Sequence, residues 1–272
     1  MNRPRRQLWA QLALFSVIGA APFALGCPPE GSTPSRDAAA TADGNTTAVS
    51  AQAALALAEE LAAGEEPLDP AMGADGNAAI IQGNAAVALG TCGTVSLSGA
   101  TVTVTFAAGG CSLPSGITAT GSIALSASVA SGTVTVDVSF DALAIGAYAL
   151  DGTASLSTTN GTSYTVMLDL TSEGRTISGD LTLSASLGAL TISGDLTTQR
   201  AGGAERMVSI EGLRWNRGDC YPSAGSITIG AGSLAQTVTF SAATASTGEV
   251  TVEFGRASTT EVLPAYGDCP AP

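Results

Sequence analysis

From Cys92 onward, apolar and polar residues alternate one by one. Val102, Val104 and Phe106 alternate with Thr101, Thr103 and Thr105. Val134, Val136, Val138 and Phe140 alternate with Thr133, Thr135, Asp137 and Ser139. Tyr164, Val166, Leu168 and Leu170 repeat the pattern, as do Leu181, Leu183 and Leu187 against Thr182, Ser184 and Ser186. Successive strand side chains point to opposite faces, so this pattern predicts antiparallel strands with one buried face and one Ser/Thr-rich face. Gly132, Gly146, Gly161, Gly174, Gly188 and Gly202 recur at intervals of 13 to 15 residues. That spacing predicts turns between about 12-residue strands of roughly 40 Å, long for a globular protein. Asn160-Gly161 is the strongest hairpin signal among them.

Two finer signals concern curvature. Gly121, Gly152 and Gly179 fall at similar heights on strands that run the same way. Mid-strand glycine marks a bend in a curved sheet, with simple glycine enrichment as the alternative. The apolar parity also slips between Phe140 and Leu143, which predicts a bulge at Asp141-Ala142. The pentapeptide TISGD occurs twice, at 176–180 and 191–195. The predicted fold is all-β: an antiparallel up-and-down meander over 92–215, forming a curved sheet, open barrel or sandwich. Residues 216–272 hold a second, smaller β unit that packs on the meander or continues it, with Ile227, Ile229, Val238, Phe240, Val250 and Val252 as its apolar positions.

The segment before Cys92 reads differently. Residues 47–64 are rich in Ala, Leu, Glu and Gln and predict one N-terminal helix ending at Gly64 and Pro67. Residues 70–91 give no clear period, so 47–91 is assigned as helix and linker. Residues 27–46 carry Pro28, Pro29, Gly31 and Pro34 among Ser, Thr and Ala, the composition of a flexible tether.

At the start, Arg3, Arg5 and Arg6 precede an apolar stretch from Leu8 to Leu25, the order of an export signal over 1–26. The stretch ends Ala24-Leu25-Gly26-Cys27. This resembles the lipobox of bacterial lipoproteins, Leu-Ala-Gly-Cys, with the first two residues exchanged. The resemblance implies lipidation of Cys27, an anchor in the cell envelope, and, with Pro28 rather than Asp following, the outer membrane of a Gram-negative bacterium. Cleavage of an ordinary signal peptide after Gly26 is the alternative. Val134 to Gly152, and Cys220-Tyr221-Pro222 before a strand, also resemble the meanders of β-rich bacterial lipoproteins with no assigned activity. That likeness implies architecture and no mechanism.

Cysteine counting agrees with the lipobox. Five cysteines leave one unpaired, and removing Cys27 leaves four. Cys92–Cys111 and Cys220–Cys269 are the favoured pairs among three connectivities.

Composition then narrows the chemistry. The chain of 272 residues has no His and a net charge of −13, from ten basic and 23 acidic residues. All ten basic residues are Arg. These absences exclude His-dependent nucleophilic catalysis and Lys Schiff-base chemistry. The acidity disfavours nucleic acid as a partner. Loss of the three signal arginines would take the charge to −16. Carboxylates remain the only plausible acid–base groups; Asp137, Asp141, Asp151, Asp169, Asp180 and Asp195 fall in the meander and are read first as solvation of the polar face. Trp215, Tyr221 and Tyr148 are the aromatic residues that could support a sugar. No metal-binding loop is recognised, and no cofactor or metal is expected. Arg214, Trp215 and Arg217 form the best candidate contact patch, and Arg217-Gly218-Asp219 is read as a turn before Cys220.

These features predict a non-enzymatic, surface-tethered β lipoprotein with an envelope structural, adhesive or binding role. Its partners would be a membrane, through the anchor, and envelope glycan or protein. An apolar-ligand carrier with a concave β face is the first alternative. A carboxylate-dependent glycoside hydrolase is the second.

Overall fold

The computed structural model describes residues 57–58, 61–62, 66–112, 118–145, 148–186, 189–216, 219, 221–230 and 235–262. Helix α1 (Ala74–Leu89) is followed by β1 (Gly93–Ser98), β2 (Thr101–Phe106), β3 (Cys111–Ser112), β4 (Thr118–Ala130), β5 (Thr133–Ile145), β6 (Tyr148–Thr158) and β7 (Ser163–Ser172). Then come β8 (Arg175–Ser186), β9 (Ala189–Arg200), β10 (Arg206–Asn216), β11 (Ala224–Ile229), β12 (Gln236–Phe240), the short α2 (Thr244–Thr247), β13 (Glu249–Phe254) and β14 (Ala257–Val262). The fourteen strands form one antiparallel sheet in chain order, with β3 alone off the path, paired to β4. The sheet is an all-β meander that does not close into a barrel. The small C-terminal unit continues it, because β11 pairs directly with β10.

Alternation decides which face is inside. On β5, Val134, Val136, Val138 and Phe140 are buried, and on β7 so are Tyr164, Val166, Leu168 and Leu170. Strands β2, β8, β9, β10, β12 and β13 bury their alternate residues in the same continuous cluster. Helix α1 lies on β1, β2 and β4. The buried helical residues Leu57, Ala58, Leu61 and Ala62 belong to the same cluster.

Glycines and bulges form a diagonal line across the sheet. Gly121, Gly152 and Gly179 have φ of +92°, +119° and +148°, a backbone conformation that side chains rarely adopt. Gly194 and Gly225 extend the line to β9 and β11. A methyl on Gly152 would stand 2.2 Å from the Asp169 carbonyl oxygen. Only a residue without Cβ lets adjacent backbones approach so closely. The bulge predicted at Asp141-Ala142 is also present, between Phe140 and Leu143, with Ala142 at φ +47°. The N–H of Ala142 donates to Asp151 Oδ1 at 3.3 Å. At the second bulge, on β10, the N–H of Gly212 donates to Ser193 Oγ at 3.0 Å.

Local expectations are sharpened by the structure. Asn160-Gly161 does mark a hairpin, but the connection spans four residues, 159–162. Asn160 acts through its side chain, whose oxygen accepts the N–H groups of Thr162 and Ser163 at 2.9 Å each. Among the described residues, the two-residue turns with positive φ at both positions are Ser131-Gly132 and Glu173-Gly174. The helix predicted over 47–64 lies mostly outside the described residues, its described positions being 57–58 and 61–62. The unassigned stretch 70–91 holds helix α1.

Two buried asparagines fasten that helix. Asn77 Oδ1 accepts the Asp69 N–H at 2.9 Å, and its Nδ2 reaches the carbonyls of Asp69, Met72 and Gly73 at 3.0 to 3.2 Å. Asn84 Oδ1 accepts the Glu66 N–H at 3.0 Å, and its Nδ2 donates to Glu66 O at 2.9 Å and Ala62 O at 3.3 Å. Together they hold the preceding segment along α1, while Pro67 and Leu68 pack over Gly161 in the β6–β7 turn. Removing one partner of a buried polar contact leaves the others unsatisfied. Asn77→Ala is accordingly expected to cost about 2 kcal/mol in urea unfolding. A change below about 0.5 kcal/mol would show that the segment is held by packing alone.

Candidate functional site

The inner face is core, so the exposed outer face carries the candidate chemistry. Cross-strand partners there form continuous rows. One runs from Ser98 on β1 to Ser258 on β14, through Asp137, Ser155, Met167, Asp180, Asp195 and Ser209 in its middle. Strands lie about 4.8 Å apart, so the row presents hydroxyls and carboxylates at that repeat, with Met167 its one apolar member.

Side chains are hydrogen-bonded along the rows. Thr101 and Ser126 hydroxyls are 2.9 Å apart, Thr135 and Ser157 3.0 Å, Ser178 and Thr197 3.0 Å, and Thr228 and Thr237 3.1 Å. Ser155 donates to Asp137 Oδ1 at 2.8 Å, and Ser209 to Asp195 Oδ1 at 2.6 Å. These bonds hold the hydroxyls in fixed orientations on a surface whose backbone the ladder already fixes.

The six meander aspartates are all exposed. The two TISGD copies meet across β8 and β9, so that Asp180 stands directly opposite Asp195. Like charges in that position repel. They lie on the open outer face, whereas a glycosidase needs its acids flanking a bond held in a cleft. Tyr221 is buried and cannot offer its ring as a sugar platform, and burial pushes its hydroxyl above the ordinary tyrosine value.

No family model, curated protein or solved structure matches the chain. Function is therefore to be sought in the geometry of the sheet itself.

The remaining sequence candidates divide by position. Cys92 and Cys111 form a disulfide with Cα atoms 5.5 Å apart. Cys27, Cys220 and Cys269 lie outside the described residues, as does Arg217. Arg214 is exposed on β10, and the backbone of Trp215 pairs with Leu190. Asp219 is turned back on Asn216, accepting its N–H at 2.8 Å and its Nδ2 at 2.9 Å. That engagement fits a turn before Cys220. Among the described residues, no group of three or more His, Cys, Asp or Glu could hold a metal ion. Residue patterns did not single out Arg175, Arg200 and Arg206, which occupy inner-face positions of β8, β9 and β10. Their strand parity was the available signal, since Arg175 lies two residues before inward Ile177.

Proposed function

We propose that this protein is a non-enzymatic β lipoprotein, anchored through Cys27 to the outer membrane. Its outer Ser/Thr/Asp face would meet envelope glycan or protein. The observation that carries this reading is the row of hydroxyls and carboxylates crossing the sheet from Ser98 to Ser258, hydrogen-bonded through side chains at four of its cross-strand pairs. Such a comb offers repeated donors and acceptors at fixed spacing to a polymer with its own repeating hydroxyls. Its acidity favours neutral or cationic partners over anionic ones. The continuous buried cluster on the inner face favours a core over the lipid-holding surface that a carrier needs.

The mature protein is to be tested against cell-wall glycan, envelope polysaccharides and envelope proteins by co-sedimentation. Mass spectrometry of its N-terminus accompanies the test. Retention on one of these, weakened by Asp137→Ala with Asp195→Ala, is the expected result. Reproducible turnover of a substrate without such retention would overturn the reading. An unmodified Cys27 would remove the anchor from it.

A further inference from the structure

Residues 76–136 contain no charged side chain, in a chain whose net charge is −13. They include helix α1 beyond Asp75, strands β1 to β4 and the start of β5. Every charge on the described strands therefore lies at Asp137 or later, and the β1 end of the sheet is neutral.

An open sheet has two edge strands, and an edge pairs with another chain unless charge, proline or a bulge blunts it. The two edges here differ in that respect. On β14, Glu261 stands opposite buried Val250, so it occupies an inner-face position of the edge strand. Glu249 and Glu253 lie on the adjoining β13. Strand β1, Gly93–Ser98, has no charge and no proline, and all six of its residues pair with β2 without a bulge.

The register shows which β1 groups are open. In an antiparallel pair, opposite residues exchange both backbone bonds or neither, in alternation. The N–H of Ala107 donates to the Cys92 carbonyl at 3.1 Å, and that of Ala127 to the Ala100 carbonyl at 2.9 Å. Stepping by two from either bond gives the same result: Thr94, Ser96 and Ser98 are the β1 residues bonded to β2. The N–H and C=O groups of Gly93, Val95 and Leu97 point the other way, along the edge. Among the described residues, β1 pairs with β2 alone. The inner side of this edge is apolar, with Val95 half-buried and Leu97 38% exposed.

Charge and register together select a second copy as the occupant. Two molecules of the same large charge repel one another, and they do so least where neither carries charge. The strand is also complementary to itself. Set antiparallel about Val95, two β1 strands place Val95 opposite Val95 and Leu97 opposite Gly93, where Leu89 fills the space of the missing side chain. Every edge-facing backbone group of Gly93, Val95 and Leu97 then meets another. A slip of one residue would misalign these groups and turn the apolar side chains to the wrong face. We propose that β1 pairs antiparallel with β1 of a second copy, across a twofold axis at Val95, so that the two sheets continue as one. Such a contact uses the same patch on both partners and stops at two. It lies at the edge of the sheet and does not depend on the function of the outer rows.

The purified mature chain is to be followed by sedimentation in density-matched detergent and by amide hydrogen exchange, both over a concentration series. A reversible dimer is expected, with a dissociation constant on the order of micromolar, since one strand pair makes a small interface. The amides of Gly93, Val95 and Leu97 should gain protection as concentration rises, while protection across β14 stays unchanged. Leu97→Pro removes an edge-facing N–H and no bond to β2, and is expected to raise the dissociation constant about tenfold or more. Leu97→Lys tests the same contact without altering the backbone and should weaken it on the same scale. Thr260→Pro on β14 is expected to leave the dimer intact. A chain still monomeric at about 1 mM, or exchange at Gly93, Val95 and Leu97 that ignores concentration, overturns the proposal. So does a dimer indifferent to both Leu97 variants, or growth beyond two copies that Thr260→Pro stops.

Discussion

Gly179→Ala and Gly194→Ala are each expected to destabilise the protein by about 4 kcal/mol, combining backbone strain with overpacking. The new methyl at 179 would stand 2.2 Å from the Asp195 carbonyl oxygen, and that at 194 equally close to the Asp180 oxygen. Both oxygens belong to the paired strands β8 and β9 and cannot retreat without breaking the ladder. Both glycines also hold φ above +140°, where a Cβ is poorly tolerated. Gly202 is the control. It has φ +72°, but a methyl there would meet nothing within 4 Å, so Gly202→Ala is expected to cost only about 1–2 kcal/mol. Urea unfolding of the three variants checks the contrast. Equal costs at 179 and 202 would mean that the fold line tolerates a side chain, and that the glycines are there for composition.

Loss of the Cys92–Cys111 disulfide is the second large effect. It closes a loop of sequence separation 19, which in the chain-entropy account is worth about 3 kcal/mol. The double variant Cys92→Ala/Cys111→Ala should therefore melt about 6–12 °C lower, at the sensitivity expected for a body of this size. The bond ties the start of β1 to β3, and Cys111 is fully buried. Thermal melts of the variant with and without reductant give the measurement. An unchanged melting temperature would show that β3 and its pairing to β4 hold this end of the sheet unaided.

The strands were legible because each side chain's face is fixed by position along the strand. Val134 to Phe140 announced both a strand and its inner face, and the slip before Leu143 announced a bulge. Gly194 escaped notice because it lies on a strand running opposite to those carrying Gly121, Gly152 and Gly179. Helix α1 was illegible for another reason. Its buried side includes Asn77 and Asn84, while Val87 is exposed, so apolar period and burial do not coincide. The asparagines work through contacts to residues 62–73 that only the folded chain reveals. The grouping of Arg175, Arg200 and Arg206 required register as well as parity. Arg175, Arg200 and Arg206 are spread over 32 sequence positions, and only the β8–β9–β10 pairing brings them to one place. The candidate at 214–217 rested on residue types in sequence and carried no register information.

The order of the strands also governs how the molecule can form. Apart from the detour of β3, each strand pairs with its sequence neighbour. Few backbone pairings therefore require a long loop to close first, and short closures lower the kinetic barrier that slows other all-β proteins. A chain emerging N-terminus first can add strands in sequence, each hairpin setting the register of the next. The inner-face cluster is completed only when β10 to β13 have joined. Apolar surface thus stays open until late in assembly, and that interval, more than the finished fold, is when the chain is most exposed to aggregation.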